Sequence, residues 1–309
     1  MKEFQSGNTK SGCINNMIIV RLIGGLGNQL FQYSVGRNLA TIHDTELKFD
    51  VTGFDKYPLR TYGLGVFQIR ESFATPQEIM AVSGKAQRTV HRICRRLGLP
   101  ASFLRGSYVK EREPGFDPKI LRLPDNVYLD GYWQSEQYFS TIAPRIRRDL
   151  TVAAPARGKN LELAKAIQKC TSVSVHIRRG DYVSNPQATR FHGVCDIDYY
   201  YRCTSAISKI CQHPHFFVFS DDPTWARENF RPPQETTFID HNGPKDAHED
   251  IRLMSLCQHH IIANSSFSWW GAWLAKYPDK AVFAPKRWLA AEKLEIKTDE
   301  IVPSSWMRI

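Results

Sequence analysis

The chain lacks the marks of several protein classes. Of its seven cysteines, no two are spaced Cys-x-x-Cys, so neither a zinc ribbon nor a thioredoxin-type motif is indicated, and reduced, buried thiols of a cytoplasmic protein are expected. No uninterrupted apolar run reaches the roughly 18 residues of a membrane span. The longest candidate, 261–275, is broken by Asn264, Ser265, Ser266 and Ser268. The first sixteen residues hold no apolar stretch of about 7 to 15 residues; they read as a polar, disordered tail without a signal peptide. No repeat of 20–50 residues and no low-complexity tract is evident. Acidic residues are scarce, 31 against 41 Lys and Arg, for a net charge of +10. Much of that excess lies in one stretch, where Lys85, Arg88, Arg92, Arg95, Arg96, Arg105, Lys110 and Arg112 face Glu111 alone. A basic protein meets nucleic acid, anionic lipid or phosphorylated small molecules. This stretch lacks the interleaved aromatics of a nucleic-acid surface. It reads as a solvated face, or as a peripheral contact with an anionic membrane through residues 85–112.

What is present suits two domains. With 309 residues, 42% of them hydrophobic, the chain can bury two cores of about 150 residues each. Met17-Ile-Ile-Val-Arg-Leu reads as a buried strand stopped by Gly24-Gly25; Asn28 to Ile42 has a helical period, and Thr45 to Val51 alternates as a strand. A basic helical pattern runs from Thr75 to Leu97. Val127 to Trp133 reads as a strand and Tyr138 to Leu150 as a helix. Pro155 and Gly158 mark a boundary, predicting one domain over 17–155 and a second over 156–309. The second half alternates more clearly. Strands are predicted at Ser172–Ile177, Phe216–Ser220, Thr236–Asp240, His260–Asn264 and Lys280–Pro285. Helices are predicted at Asp198–Cys211, Trp225–Phe230, Glu249–Gln258 and Ser268–Ala275. That rhythm implies a doubly wound parallel sheet.

In such a sheet, ligands bind beyond the carboxyl ends of the strands. Arg178-Arg179-Gly180-Asp181-Tyr182 follows the first of these strands, Ser220-Asp221-Asp222-Pro223 the second, and Asn264-Ser265-Ser266-Phe267-Ser268 the fourth. Arginines suit phosphate oxygens, a hydroxyl-rich helix start suits an anion, and carboxylates suit ribose or base edges. Together they predict a nucleotide diphosphate pocket. Each piece also has a plainer use: a solvated arginine pair, a helix cap within Ser220–Pro223 or within Asn264–Ser266, a core histidine at His176. The turn Gly24-Gly25-Leu26-Gly27-Asn28-Gln29 with Asp50 beyond it imitates a dinucleotide fingerprint, but Leu30 stands where the third glycine belongs. An NAD-dependent oxidoreductase is thereby disfavoured. Asp196-Ile197-Asp198 has the letters of a metal-binding D-x-D, yet its helix-start position predicts capping.

Three segments carry a resemblance. Ile18-Ile-Val-Arg-Leu-Ile-Gly-Gly-Leu-Gly-Asn-Gln-Leu-Phe-Gln-Tyr, Val175-His-Ile-Arg-Arg-Gly-Asp-Tyr-Val and Ile261-Ile-Ala-Asn-Ser-Ser-Phe-Ser-Trp-Trp-Gly-Ala-Trp-Leu strongly resemble the α-1,2-fucosyltransferases of glycosyltransferase family 11, in order and spacing, over about residues 17–290. The resemblance implies an α/β, GT-B-like fold of two Rossmann-like domains with the active site in the cleft between them. It also implies transfer from GDP-β-L-fucose to a β-galactoside with inversion, no metal and no other cofactor. Fucosyl transfer in another linkage is the nearest alternative. By motif match Arg178 binds the β-phosphate and stabilises departing GDP, supported by Arg179. Asp181 is the motif carboxylate, either a base or an orienter of Arg178. His176, Asp221, Asp222, Asp250, Ser265, Ser266 and Phe267 then line the donor. Gly24, Gly25, Leu26, Gly27 and Asn28 reach the diphosphate from the first domain.

Overall fold

The computed structural model describes residues 16–56, 60–84, 107–180, 183, 189–190, 193–290 and 300–309. Two all-parallel sheets organise them. The first holds β1 (Met17–Arg21), β2 (Glu46–Asp50), β3 (Ser107–Lys110) and β4 (Val127–Asp130), in the order β2-β1-β4-β3. The second holds β5 (Ser172–Ile177), β6 (His215–Ser220), β7 (Thr236–Ile239), β8 (His259–Ile261), β9 (Val282–Ala284) and β10 (Met307–Arg308). Their order is β10-β9-β8-β5-β6-β7. Parallel neighbours need crossovers. The described α-helices are α1 (Leu26–Ile42), α2 (Pro76–Ser83), α3 (Ala143–Asp149), α4 (Gly158–Ile167), α5 (Ile197–Ile207), α6 (Pro223–Asn229), α7 (Ala247–Leu256) and α8 (Ser266–Leu274); α3 and α4 link the first sheet to the second, and the others lie between strands of one sheet. This is the α/β, GT-B-like pair of sheets that the resemblance implies.

Strand order locates the ligand sites. In each sheet the chain winds outward from its first strand and later returns to that strand's other side. The reversal falls between β1 and β4 in the first sheet and between β5 and β8 in the second. Crossovers leaving on opposite faces open a crevice at such a point.

Local chemistry explains the departures from expectation. Of the helix expected over 75–97, the segment Pro76–Ser83 is observed, and 85–97 lie outside the described residues. Thr75 and Glu78 form a capping box at its start, and Gly84 takes φ +65°, the left-handed exit that glycine permits. The basic residues Arg88, Arg92, Arg95 and Arg96 lie outside the described residues. Strand β3 is four residues long and α4 starts on Gly158, three residues after Pro155; both escaped prediction because an element that is short or opens on a breaker resembles a loop. The final strand is β10, not 280–285. Asp196 accepts the Tyr199 N–H at 2.6 Å and so caps α5, as its position suggests.

The apolar run 261–275 becomes β8 and α8, and α8 is buried inside the protein. Trp269, Trp270 and Trp273 are all buried. The Phe31 ring of α1 lies 4.5 Å from Trp269 and 4.9 Å from Trp270, and Phe139 stacks on Trp270. Each indole N–H finds an acceptor: Ile301 O at 2.8 Å, Gly27 O at 2.9 Å and Glu136 Oε2 at 3.0 Å. A buried tryptophan supplies large apolar area but needs that partner. At the other end of α8, Lys280 donates to the carbonyls of Ala272 and Ala275, and Arg147 donates to that of Trp273. Cations there complement the helix dipole. One apolar core therefore runs from α1 through α8. No helix among the described residues is long and apolar enough to cross a membrane.

Candidate active site

Arg178 leaves β5 at the reversal of the second sheet. Its Nη1 lies 2.9 Å from Asp221 Oδ2, with 19% of the arginine side chain exposed. Asp221 also accepts the Arg179 backbone N–H at 2.8 Å. A Cβ at Gly180 would fall on Asp221 Oδ2. Glycine is thus what lets the carboxylate lie against this loop.

Arg179 is committed elsewhere. Its Cζ stands 3.7 Å from the centre of the Trp225 ring and its Nε 3.5 Å from Asp222 Oδ2. Stacking plus an ion pair hold the guanidinium. Asp222 in turn caps α6 by accepting the Trp225 N–H at 3.2 Å. The two carboxylates expected at ribose or base edges therefore meet the two arginines instead. Carboxylates beside guanidinium groups gain charge-assisted bonds that a neutral hydroxyl cannot match. Sequence reading missed Trp225; its place one turn into the helix that Asp222 caps was the available signal.

The serine turn is also largely spent within the protein. Ser265 Oγ accepts the Phe267 N–H at 3.3 Å as the cap of α8, and Ser266 Oγ donates to Asn28 Oδ1 at 2.7 Å. Asn28 Oδ1 accepts a second bond, from Gln134 Nε2 at 2.8 Å. The Ser266 hydroxyl and the Asn28 amide thus join the two halves, while Ser265 caps α8. Gly27 is buried against the Ser266–Phe267 peptide, while Leu26 packs on the first core. Within the glycine turn the open side is at Gly25, where an added Cβ would meet nothing within 4 Å. Gly24 makes the turn itself with φ +77°.

His176 is buried beside Phe267, ring centres 5.6 Å apart. Burial first, then the charge of Arg178, push its pKa down to about 3. It is a neutral imidazole whose Nδ1 has no hydrogen-bond partner among the described residues. Asp250 lies near the start of α7 and accepts Asn242 Nδ2 at 2.7 Å. Burial, reinforced by Asp246 and Glu249, pushes its carboxyl up to about 7. Asn242, after β7, was not anticipated. Asp181 lies outside the described residues. Asp50, the apparent dinucleotide acid, accepts the Tyr128 hydroxyl at 2.5 Å and the Thr52 hydroxyl at 2.7 Å at the edge of the first sheet.

Along one rim, then, stand the serine turn after β8, Arg178 after β5, the aspartates after β6 and Asn242 with Asp250 beyond β7. A guanidinium held at a strand reversal can stabilise an anionic leaving group. The comparisons agree in kind. The chain is 33% identical over 303 residues to an Escherichia coli alpha-1,2-colitosyltransferase, covering 95% of this chain and 99% of that protein. It is 29% identical over 314 residues to the O-antigen biosynthesis glycosyltransferase WbnK of Escherichia coli, covering 93% and 99%. Over 156 residues it is 28% identical to the galactoside 2-alpha-L-fucosyltransferase SEC1 of Bos taurus, covering 48% and 42%. The profile of Glycosyl transferase family 11 matches residues 14–309, and the chain belongs to that family.

Proposed function

We propose that this glycosyltransferase moves L-fucose from GDP-β-L-fucose to the 2-OH of a terminal β-galactoside on a glycan, with inversion and without a metal ion. The observation that carries the reading is Arg178, held by Asp221 at the β5–β8 reversal of a family 11 chain. Breaking the fucose–phosphate bond builds negative charge on GDP and positive charge on the sugar ring. A fixed guanidinium stabilises the departing diphosphate in place of a divalent cation. The acceptor hydroxyl attacks the opposite face in one displacement. Asp181 serves either as its base or as a second orienter of Arg178; a strongly oxocarbenium-like transition state needs little from a base. Asp250, with Asn242, suits the N–H edge of guanine.

The names of the relatives favour the 1,2 linkage. They also support a second donor reading, since the colitosyltransferase spans nearly the whole chain. GDP-fucose and the corresponding colitosyl donor, each offered with a panel of β-galactosides, separate the two; the expected NMR product carries fucose on O2. A product linked elsewhere overturns the linkage. Turnover should persist in EDTA, and an absolute Mn²⁺ requirement would contradict the metal-free route.

Donor binding has its own test. GDP at one hundred times its Kd should stabilise the protein by about 2.7 kcal/mol, and NAD should not. Because Asp250 is raised to about 7, it is protonated below that pH and ionised above it, and only the carboxylate accepts both guanine N–H groups. The GDP-induced rise in Tm should therefore be larger at pH 8 than at pH 6. Asp250→Asn should abolish that difference; an unaltered pH dependence in the variant would remove Asp250 from guanine recognition.

A further inference from the structure

The reversal of the first sheet, between β1 and β4, carries charged and aromatic side chains beyond the glycine turn that the donor reading does not use. Register pairs Val20 with Leu129, so Arg21 and Asp130 end adjacent strands at the mouth of that crevice. Arg21 Nη1 donates to both Asp130 oxygens, at 3.1 and 3.2 Å, and the Tyr108 hydroxyl donates to Oδ2 at 2.5 Å. The Asp130 side chain is 11% exposed and that of Arg21 39%. The carboxylate is thus consumed inside the protein while the guanidinium keeps an outward edge.

The loop after β4 is held in an unusual path. Trp133 is buried with φ +57°, a left-handed conformation that bulky residues rarely adopt. Glu111 enforces it by accepting the backbone N–H groups of Tyr132 at 2.6 Å and Trp133 at 3.0 Å. Gln32 ties this loop to the glycine turn, donating to Gly131 O at 2.9 Å and accepting the Ile23 N–H at 3.0 Å. Gln134 anchors its far end on Asn28, at the junction with α8. Strain of this kind persists only where the surroundings over-determine it, and it gathers at ligand sites. Its product is a fixed tyrosine: Tyr132, 44% exposed, two residues from that junction.

We infer that Tyr132 and Arg21 form the subsite for the acceptor sugar, an inference that rests on the transferase reading above. A pyranose presents an apolar C–H face and a rim of hydroxyls. An exposed phenol ring receives the first, and the outward edge of a guanidinium donates to the second. Asp130 already balances the charge of Arg21, so the pair suits a neutral polyhydroxylated ligand better than a second phosphate. Asp130 and Glu111 are positioning residues: one aims Arg21 and the other fixes the loop that carries Tyr132.

Steady-state kinetics with each substrate varied, together with GDP-induced Tm shifts, test the subsite. Tyr132→Ala should raise the KM for a β-galactoside at least tenfold and leave the donor KM and the GDP shift unchanged. Tyr132→Phe keeps the ring and should stay within about twofold of wild type. Arg21→Lys keeps the charge, loses the planar fork, and should raise the acceptor KM alone. A folded Tyr132→Ala protein with a normal acceptor KM, or with donor and acceptor KM raised alike, overturns the inference and leaves the transferase reading standing. Should the wild type transfer neither fucose nor the colitosyl group to any β-galactoside, the transferase reading fails. Saturation-transfer NMR with methyl β-galactoside then decides the subsite. A transfer signal that disappears in Tyr132→Ala supports it; a signal absent from the wild type, or unaltered in the variant, overturns it.

Discussion

Replacing Arg178 by alanine should lower kcat by two to three orders of magnitude, about 3–4 kcal/mol of transition-state stabilisation, with the fold retained. The magnitude comes from where the charge develops. In the proposed reaction the scissile bond releases a diphosphate, and Arg178, paired with Asp221 at the strand reversal, is the cation assigned to it. Arg179 differs. Its guanidinium is already stacked on Trp225 and paired with Asp222, so its loss should act through the local fold. Asp221 should work through Arg178. Asp221→Asn retains an acceptor for the Arg179 N–H but gives up the ion pair at 2.9 Å, and about a tenfold loss of kcat is expected. Combining it with Arg178→Ala should cost no more than Arg178→Ala alone, because residues that act through one another are not additive. Single-turnover rates, with Tm as the check on folding, measure all three variants. Near-wild-type turnover in a folded Arg178→Ala protein would remove the leaving-group role.

The second sheet was legible because its strands announce themselves. Phe216–Phe219 is a continuous apolar run and Ser172–Ile177 sets Val173, Val175 and Ile177 among small and polar residues, and each strand is buried on both faces as a central parallel strand must be. With the strands located, the segments at their carboxyl ends bring Arg178, the aspartates and the serine turn to one rim. Partner choice could not be read the same way. Asp221 and Asp222 are adjacent letters with opposite duties, one aiming Arg178 and the other capping α6 under Arg179. Ser265, Ser266 and Asn28 looked like phosphate ligands, because a hydroxyl at a helix start satisfies either an anion or its own backbone. Only their contact across 238 residues of sequence shows that Ser266 and Asn28 serve the junction. In the first half, β3 and the Glu111–Trp133 clamp gave no periodic signal at all. A φ of +57° at a tryptophan is imposed by tertiary hydrogen bonds and has no local signature.

Gly27→Ala should be the most damaging single-methyl change in the chain's glycine turn. A Cβ at Gly27 would stand 2.5 Å from the Ser266 carbonyl carbon and 2.6 Å from the Phe267 nitrogen. Both are backbone atoms in the capped first turn of α8, so no side chain can rotate away. Relief requires α1 and α8 to separate. Separation strains the Trp270 N–H bond to Gly27 O and the Ser266–Asn28 bond together, and it loosens Phe31 from Trp269 and Trp270. Overpacking of a close contact costs about 1–3 kcal/mol, and a buried indole N–H left without its acceptor adds about 1–3 kcal/mol. A loss of about 2–6 kcal/mol is therefore expected, which at roughly 2–4 °C per kcal/mol lowers Tm by at least about 4 °C. Gly25→Ala supplies the contrast: with φ −76° and open space around its Cβ, it should move Tm by no more than about 1–2 °C. Turnover of Gly27→Ala should fall more than its stability alone explains when assayed well below its Tm. The same displacement moves the start of α8 away from Arg178, and the proposed leaving-group site is assembled across that contact. Equal Tm values for the two alanine variants would mean that the α1–α8 contact gives way easily. The two sheets could then move as separate bodies, and the single core running from Phe31 to Trp273 would not be what aligns the donor rim with the glycine turn.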